Sequence, residues 1–258
     1  MFSGWSWSDL GAAASAVIAL VALIRPEIGS FIARWKSSLE LHPAGLLEVG
    51  FGELGPMVGM LGTLSAHAKA QFVSSVSLTV VRRRDQLRHE FSWTAFRPLT
   101  LGNSSEGLQI ATGFLIQESE PKQFNILFAD RATLSEMEDS YEAVRSAALD
   151  FFAKEQILLK DLSASDRKAA HEKFEEDGRI VKSASFSKLS RIFYWDPGVY
   201  DVTVEIKTFR PKRSYQKKLS FEMSEKESDR LRVNIIHIIS HSALEPEQFW
   251  NWASVKIV

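Results

Sequence analysis

Hydrophobic positions along the chain change spacing twice. The first regime is the stretch SDLGAAASAVIALVALIRPEIGSFIARW, residues 8–35, in which no charge occurs between Leu10 and Ile24. At about 1.5 Å per residue that run covers roughly two thirds of a hydrocarbon core about 30 Å thick. Counted from Trp5 it reaches the span of about 20 residues that a crossing helix needs, with Asp9 near one end. The pattern therefore predicts an N-terminal single transmembrane helix running through Val17, Leu20, Leu23 and Ile24, with Trp5 and Trp7 at one border. Arg25, Arg34, Trp35 and Lys36 supply the aromatic and cationic anchors at the other. Ile28, Phe31, Ile32 and Trp35 continue at helical spacing, as an amphipathic collar would. The competing reading is a buried helix of a soluble fold, favoured by the alanine content and the marginal length.

From Leu46 the period shortens to two. Phe72, Ser74, Val76, Leu78 and Val80 share one strand face, and Leu87, Phe91, Trp93 and Ala95 share the next, so RRRDQ between them reads as a hairpin turn. GLQIATGFLIQ and KQFNILFAD give a further strand pair. The period then lengthens again. Thr133 and Glu136 stand at capping-box spacing ahead of a stripe from Leu134 to Phe151 or Phe152, and a more polar helix is expected from Ala164 to Glu176, stopping at Gly178. Together these predict a helical insertion at about 131–178. Strands resume in SRIFYWDPGVYDVTVEIKTF, where Tyr200, Val202, Val204 and Ile206 oppose Asp201, Thr203, Glu205 and Lys207. Pro197 and Gly198 suit a type II turn. Ser224 and Glu227 repeat the capping-box spacing before a final helix to about residue 242.

PGVYDVTVEI resembles the G-x-Y-x-V-x-V strand of immunoglobulin-like β-sandwich domains. The resemblance covers some ten residues of this chain and implies a fold class alone, since a superfold transfers no function. The expected architecture is thus α+β, mainly β: an immunoglobulin-like β-sandwich (residues 38–258) with a helical insertion, behind a membrane segment and collar (residues 1–37).

Composition narrows the function. In 258 residues, 31 basic and 32 acidic side chains leave a net charge of -1, so no global field draws in nucleic acid. With no cysteine there can be no disulfide, thiolate metal site or cysteine nucleophile. No Lys or Arg precedes the apolar segment while Arg25, Arg34 and Lys36 follow it, which places the body in the cytoplasm and disfavours a cleaved signal peptide.

Gly50, Gly52 and Gly55 have dinucleotide-loop spacing. Gly59 and Gly62 would weaken the helix that must follow, so turn and bulge glycines are the better reading. His237 and His241 lie one helical turn apart with Glu245 a turn further, the best metal candidate; lacking a Glu beside the first His, they read better as ordinary helix-end histidines. Two basic runs occupy predicted hairpin tips: Arg82, Arg83, Arg84, Arg88 and His89, then Lys207, Arg210, Lys212, Arg213, Lys217 and Lys218. Either could meet an anionic membrane surface, or keep strand edges solvated. Trp93, Phe96, Tyr194 and Trp195 fit a sandwich core better than a ligand pocket. The sequence predicts a single-pass, membrane-anchored, non-enzymatic binding or scaffold module at the cell membrane. Its expected partners are the lipid bilayer and a protein, without cofactor or nucleic acid. The alternatives are a metal-dependent hydrolase using His237 and His241, or a soluble β-sandwich binding protein.

Overall fold

A computed structural model describes residues 38–97, 109–158, 163–209, 212–244 and 250–258. The predicted transmembrane helix and collar, with Trp5, Trp7, Val17, Leu20, Leu23, Ile24, Arg25, Arg34, Trp35 and Lys36, lie outside the described residues. Among the described residues no helix is long and apolar enough to cross a membrane.

Seven strands come first: β1 (Ser38–Gly52), β2 (Gly55–His67), β3 (Gln71–Arg82), β4 (Arg88–Phe96), β5 (Gln109–Ile110), β6 (Phe114–Ile116) and β7 (Lys122–Asp130). Helices α1 (Leu134–Lys154), α2 (Ala164–Asp177) and α3 (Arg179–Ile192) follow. The chain then continues through β8 (Gly198–Thr208), β9 (Arg213–Met223), α4 (Glu225–Ser242) and β10 (Trp252–Lys256).

The immunoglobulin-like sandwich expected from the sequence is not formed. Among the described residues all ten strands belong to one antiparallel sheet, ordered β10-β1-β2-β7-β4-β3-β8-β9, with β5 on β4 and β6 on β3. Its edges nearly meet: Phe221 bridges Ile257, and Ser220 and Val258 exchange backbone hydrogen bonds of 3.3 and 2.8 Å. The result is a nearly closed barrel instead of two facing layers. The strand that suggested a sandwich is β8, paired to β3 on one side and β9 on the other. Its alternation is common to both architectures; what separates them is pairing between strands remote in sequence, such as β2 with β7 and β1 with β10.

Inward positions follow the period of two. Leu47, Val49 and Phe51 on β1, Val58 and Met60 on β2, Leu78 and Val80 on β3, Ile126 and Phe128 on β7, and Val202 and Val204 on β8 are all fully or almost fully buried. Each large side chain so buried contributes about 1.5–3 kcal/mol. One end of the barrel is closed by α1, α3 and α4, which pack on one another, and by the connector from α3 to β8. That connector carries Tyr194 and Trp195, both essentially without solvent exposure. Trp195 Nε1 donates to the Gly50 carbonyl at 2.7 Å, and the Tyr194 hydroxyl reaches the Val80 carbonyl at 3.1 Å. These two side chains plug the barrel. Trp93 and Phe96 form a separate aromatic group with Phe114.

Local expectations met mixed outcomes. The Ser224–Glu227 capping box of α4 is formed. At α1 it is not: the Thr133 hydroxyl donates to the Asp130 carbonyl instead, at 3.0 Å. Gly178, expected to stop the helices, joins α2 to α3, and α3 occupies residues expected to start a strand. Gly55 turns the β1–β2 hairpin with a φ of 77°, so the glycine series belongs to a hairpin.

Candidate functional site

Outward positions on the barrel wall are mostly polar, and among the described residues one packed apolar cluster stands out. Met57, Leu127 and Ala129 on adjacent β2 and β7, with Ala95 on β4, form a second apolar cluster outside the barrel, against which Leu54 and Trp252 pack. Glycines make the ledge possible. Trp252 stands opposite Gly50 in the β1–β10 register, and a Cβ at Gly50 would lie 2.7 Å from its ring. The indole therefore lies flat on bare backbone. At Gly59 a Cβ would sit 3.1 Å from both Arg97 Nη1 and Glu48 Oε2. Arg97 uses that gap to cross β2, ion-pair with Glu48 and place its guanidinium 4.2 Å over the Trp252 ring.

A buried amide fixes this arrangement from behind. Asn234 of α4 donates to the carbonyls of Phe51 and Asn251 at 2.8 and 2.9 Å, and its carbonyl accepts from the Asn251 backbone N–H at 2.9 Å. It ties the end of β1 to the chain entering β10, and so holds Trp250 and Trp252 where they are.

Two hollows open along the ledge and share Glu53 and Leu54 of the β1–β2 turn. One, of about 370 Å³, is floored by Leu54, Met57, Leu127, Trp250 and Trp252. The other, of about 490 Å³, continues to the first turns of α1, where Leu134, Glu138, Tyr141 and Glu142 share a helical face. Its lip is acidic. Glu53 meets His241 at 3.0 Å and Asp139 meets Lys188 at 3.1 Å, while Glu138 and Glu142 are exposed along the rim. The groove can take an apolar or aromatic side chain onto its floor, with a cation from the same ligand against the α1 carboxylates.

Of the residues singled out from sequence, the structure separates the two basic runs. Arg82 pairs with Tyr200 in register, whereas Thr208 pairs with Arg213. Seven residues of β8 lie between, about 26 Å of strand, so Arg82 and its neighbours and the pair Lys212 and Arg213 occupy opposite ends of the barrel, while Lys217 and Lys218 lie mid-strand opposite Val204 and Thr203 and Arg210 is outside the described residues. Arg82, Arg83, Arg84 and Arg88 are at the helical end and each meets a carboxylate: Asp85 and Asp196, Asp201, Asp196, and Glu90 respectively. Burial acts to lower the Arg82 pKa, but the hydrogen bonds to Asp85 and the charge of Asp196 more than offset it, so the guanidinium is held well above its ordinary value. Lys212 and Arg213 are at the other end. His237 and His241 both lie on α4, Glu245 is outside the described residues, and among the described residues no group of three or more His, Asp or Glu side chains could hold a metal ion.

His89 and Asp130, 2.5 Å apart, form a histidine–carboxylate pair that the sequence did not suggest. Asp130 also accepts the Ala132 N–H at 2.9 Å and leads into α1, and the His89 ring rests 4.0 Å from that of Tyr194. Both groups are thus used in joining β7 to α1. The groove residues were also missed. Trp252, Ser254 and Lys256 alternate with buried Ala253 and Val255, a short strand signal in NWASVKIV, and outward glycines at positions 50 and 59 were a sign that something lies against the strands.

No family model matches the chain, and no curated protein matches it. A family 123 glycoside hydrolase from Clostridium perfringens is similar in structure, with a TM-score of 0.29 and 8% sequence identity over 73% of this chain. The chain spans 27% of that protein. Likeness of that depth assigns neither fold nor activity.

Proposed function

We propose that this chain is a non-enzymatic binding module of the cell membrane, attached through its apolar N-terminal segment with the barrel on the cytoplasmic side. The groove would hold a protein segment that presents an apolar or aromatic side chain next to Lys or Arg. The apolar ledge of Leu54, Met57, Leu127 and Trp252 beside the carboxylates of α1 carries the binding half of this reading. Apolar floors with a few oriented polar groups are the usual make-up of recognition sites. The uncharged run from Leu10 to Ile24, with cations only after it, carries the attachment half.

Selection of phage-displayed random peptides on the full chain in lipid nanodiscs tests the groove. Enriched peptides should combine a large apolar residue with a nearby cation, and should lose binding to Leu54→Asp and to a Glu138→Lys, Glu142→Lys double variant. Peptides that bind all three proteins equally would sink the proposal. Attachment is checked separately: the chain should stay in the membrane pellet after an alkaline carbonate wash.

A further inference from the structure

The barrel end opposite the helices is where residue 38 enters the fold, since Ser38 pairs with His67 next to the β2–β3 turn. The 37 residues before it, which include the whole apolar segment, must therefore reach the barrel at this end. The surface there is unlike an ordinary polar rim. Phe72 is 39% exposed, Leu115 47% and Phe209 60%. They are neighbours: Phe72 faces Leu115 in the β3–β6 register, and the Phe209 N–H donates to the Phe72 carbonyl at 3.0 Å. Scattered exposed apolar side chains are normal, but three adjacent ones on a single rim form a patch. Lys69, Lys122, Lys212 and Arg213 stand at the same end, in or beside the turns that carry the patch. Among the described residues the carboxylates at that end are Glu40, which meets His42 and His67, with Glu118 and Glu120 in the β6–β7 turn.

We propose that this rim is a membrane-docking face: Phe72, Leu115 and Phe209 enter the headgroup region of an anionic leaflet while Lys69, Lys122, Lys212 and Arg213 meet its phosphates. The inference rests on the membrane-attached reading and deepens it. Apolar burial and attraction to anionic lipid act together in this mode of binding, so neither needs to be strong. A barrel attached only at residue 38 could tumble on its tether; the second contact fixes its long axis along the membrane normal. The helical end is then directed away from the lipid. There Arg82, Arg83, Arg84 and Arg88 are each engaged by a carboxylate and do not compete for the leaflet.

The absence of cysteine makes the test direct. Single variants Phe72→Cys, Phe209→Cys, Arg84→Cys and Val17→Cys carry an environment-sensitive thiol fluorophore on the full chain. They are reconstituted in phosphatidylcholine vesicles containing phosphatidylserine as the minority lipid. Nitroxide lipids should quench the labels at 72 and 209 at least about threefold more than the label at 84, as interfacial insertion requires. Adding Lys212→Gln and Arg213→Gln should lower the docked-to-free ratio about fivefold per cation, and replacing phosphatidylserine by phosphatidylcholine should act in the same direction. If Val17 is quenched while 72 and 209 behave like 84, attachment stands and the docking face is overturned. If 72 and 209 are quenched and Val17 is not, docking stands and attachment through the N-terminal segment fails. Quenching at none of these positions overturns both.

Discussion

The run Arg82-Arg83-Arg84 offers a controlled comparison, because two adjacent arginines with carboxylate partners differ mainly in burial. The Arg82 side chain is 7% exposed and sits between Asp85 (39%) and Asp196 (23%). Its Nε and Nη2 bond Asp85 at 2.7–3.1 Å, and Nη1 bonds Asp196 at 2.5 Å and the Tyr194 carbonyl at 3.2 Å. Removing one partner of a fully buried pair costs about 3–5 kcal/mol, because the other charge is left without compensation. Arg82→Met falls below that range for two structural reasons. Asp196 keeps Arg84 and Arg232, and Asp85 is exposed enough to recover water. The Tyr194 carbonyl also keeps the Tyr200 hydroxyl at 3.1 Å. What is lost is a set of charge-assisted bonds in a low-dielectric site, worth about 2–3 kcal/mol. Arg83→Met removes a pair with Asp201 in which both side chains are about half exposed, at 55% and 49%. Such pairs contribute about 0–1 kcal/mol. For a domain of this size the first substitution should lower the thermal midpoint by roughly 4–12 °C and the second by no more than about 4 °C. Circular dichroism of the full chain in mild detergent, with urea titrations for the free energies, reads both. Equal losses for the two variants, within about 0.5 kcal/mol, would refute the argument that burial decides the contribution.

Asn234→Leu should destabilise by about 2–3 kcal/mol, since it strands the Phe51 and Asn251 carbonyls; it should also change the near-ultraviolet tryptophan signal, and Asn234→Asp, whose buried carboxylate can only accept and faces the same two carbonyls, should be at least as damaging. Gly59→Val should push Arg97 off Trp252 at a cost of about 1–3 kcal/mol, visible as a shift in tryptophan emission with the secondary structure retained. Acid dependence follows from Asp85 and Asp201, whose carboxyls are held below the ordinary 3.8 by hydrogen bonds from Arg82 and Arg83 respectively. Because the folded pKa is the lower one, their stabilisation is complete above 3.8 and fades as pH falls below it through the folded values; the urea midpoint of Asp85→Asn should decline less steeply in that window than that of the parent.

How far the fold was legible can be followed strand by strand. The alternation of Phe91 and Trp93, of Val76, Leu78 and Val80, and of Tyr200, Val202, Val204 and Ile206 named the inward faces correctly, because a half-buried strand must alternate whichever partner it takes, but the expected faces broke where the register shifts: Ala95 turns outward after Trp93, and Phe72 and Ser74 are exposed while Val73 is buried. Ser224 and Glu227 located the start of α4 because capping satisfies backbone groups within one turn of chain. Closure was not legible. It depends on β7 lying between β2 and β4, and on residues 252–258 returning to β1 and β9, pairings that leave no local periodic trace. Thr133 shows the same limit on a smaller scale: its hydroxyl had a closer acceptor in the Asp130 carbonyl, and the cap suggested by its spacing did not form.

The groove was missed for a related reason. Sequence reading looks for residues that do chemistry, and here the informative positions are those where a side chain is missing. Gly50 and Gly59 are outward strand positions, where glycine costs about 0.5–1 kcal/mol in backbone freedom. A barrel that needed only to close would place β-branched residues there. These two are instead occupied from outside, by the Trp252 ring and by Arg97 reaching Glu48. Neither contact is needed to fill the barrel interior, which is already packed from Leu47 to Val255. The strands thus give up intrinsic stability to carry an aromatic and a cation flat on the outer wall, beside a row of carboxylates. On the proposed reading, a surface organised in this way, near the helical end and away from where residue 38 enters, is the one that would meet a protein partner.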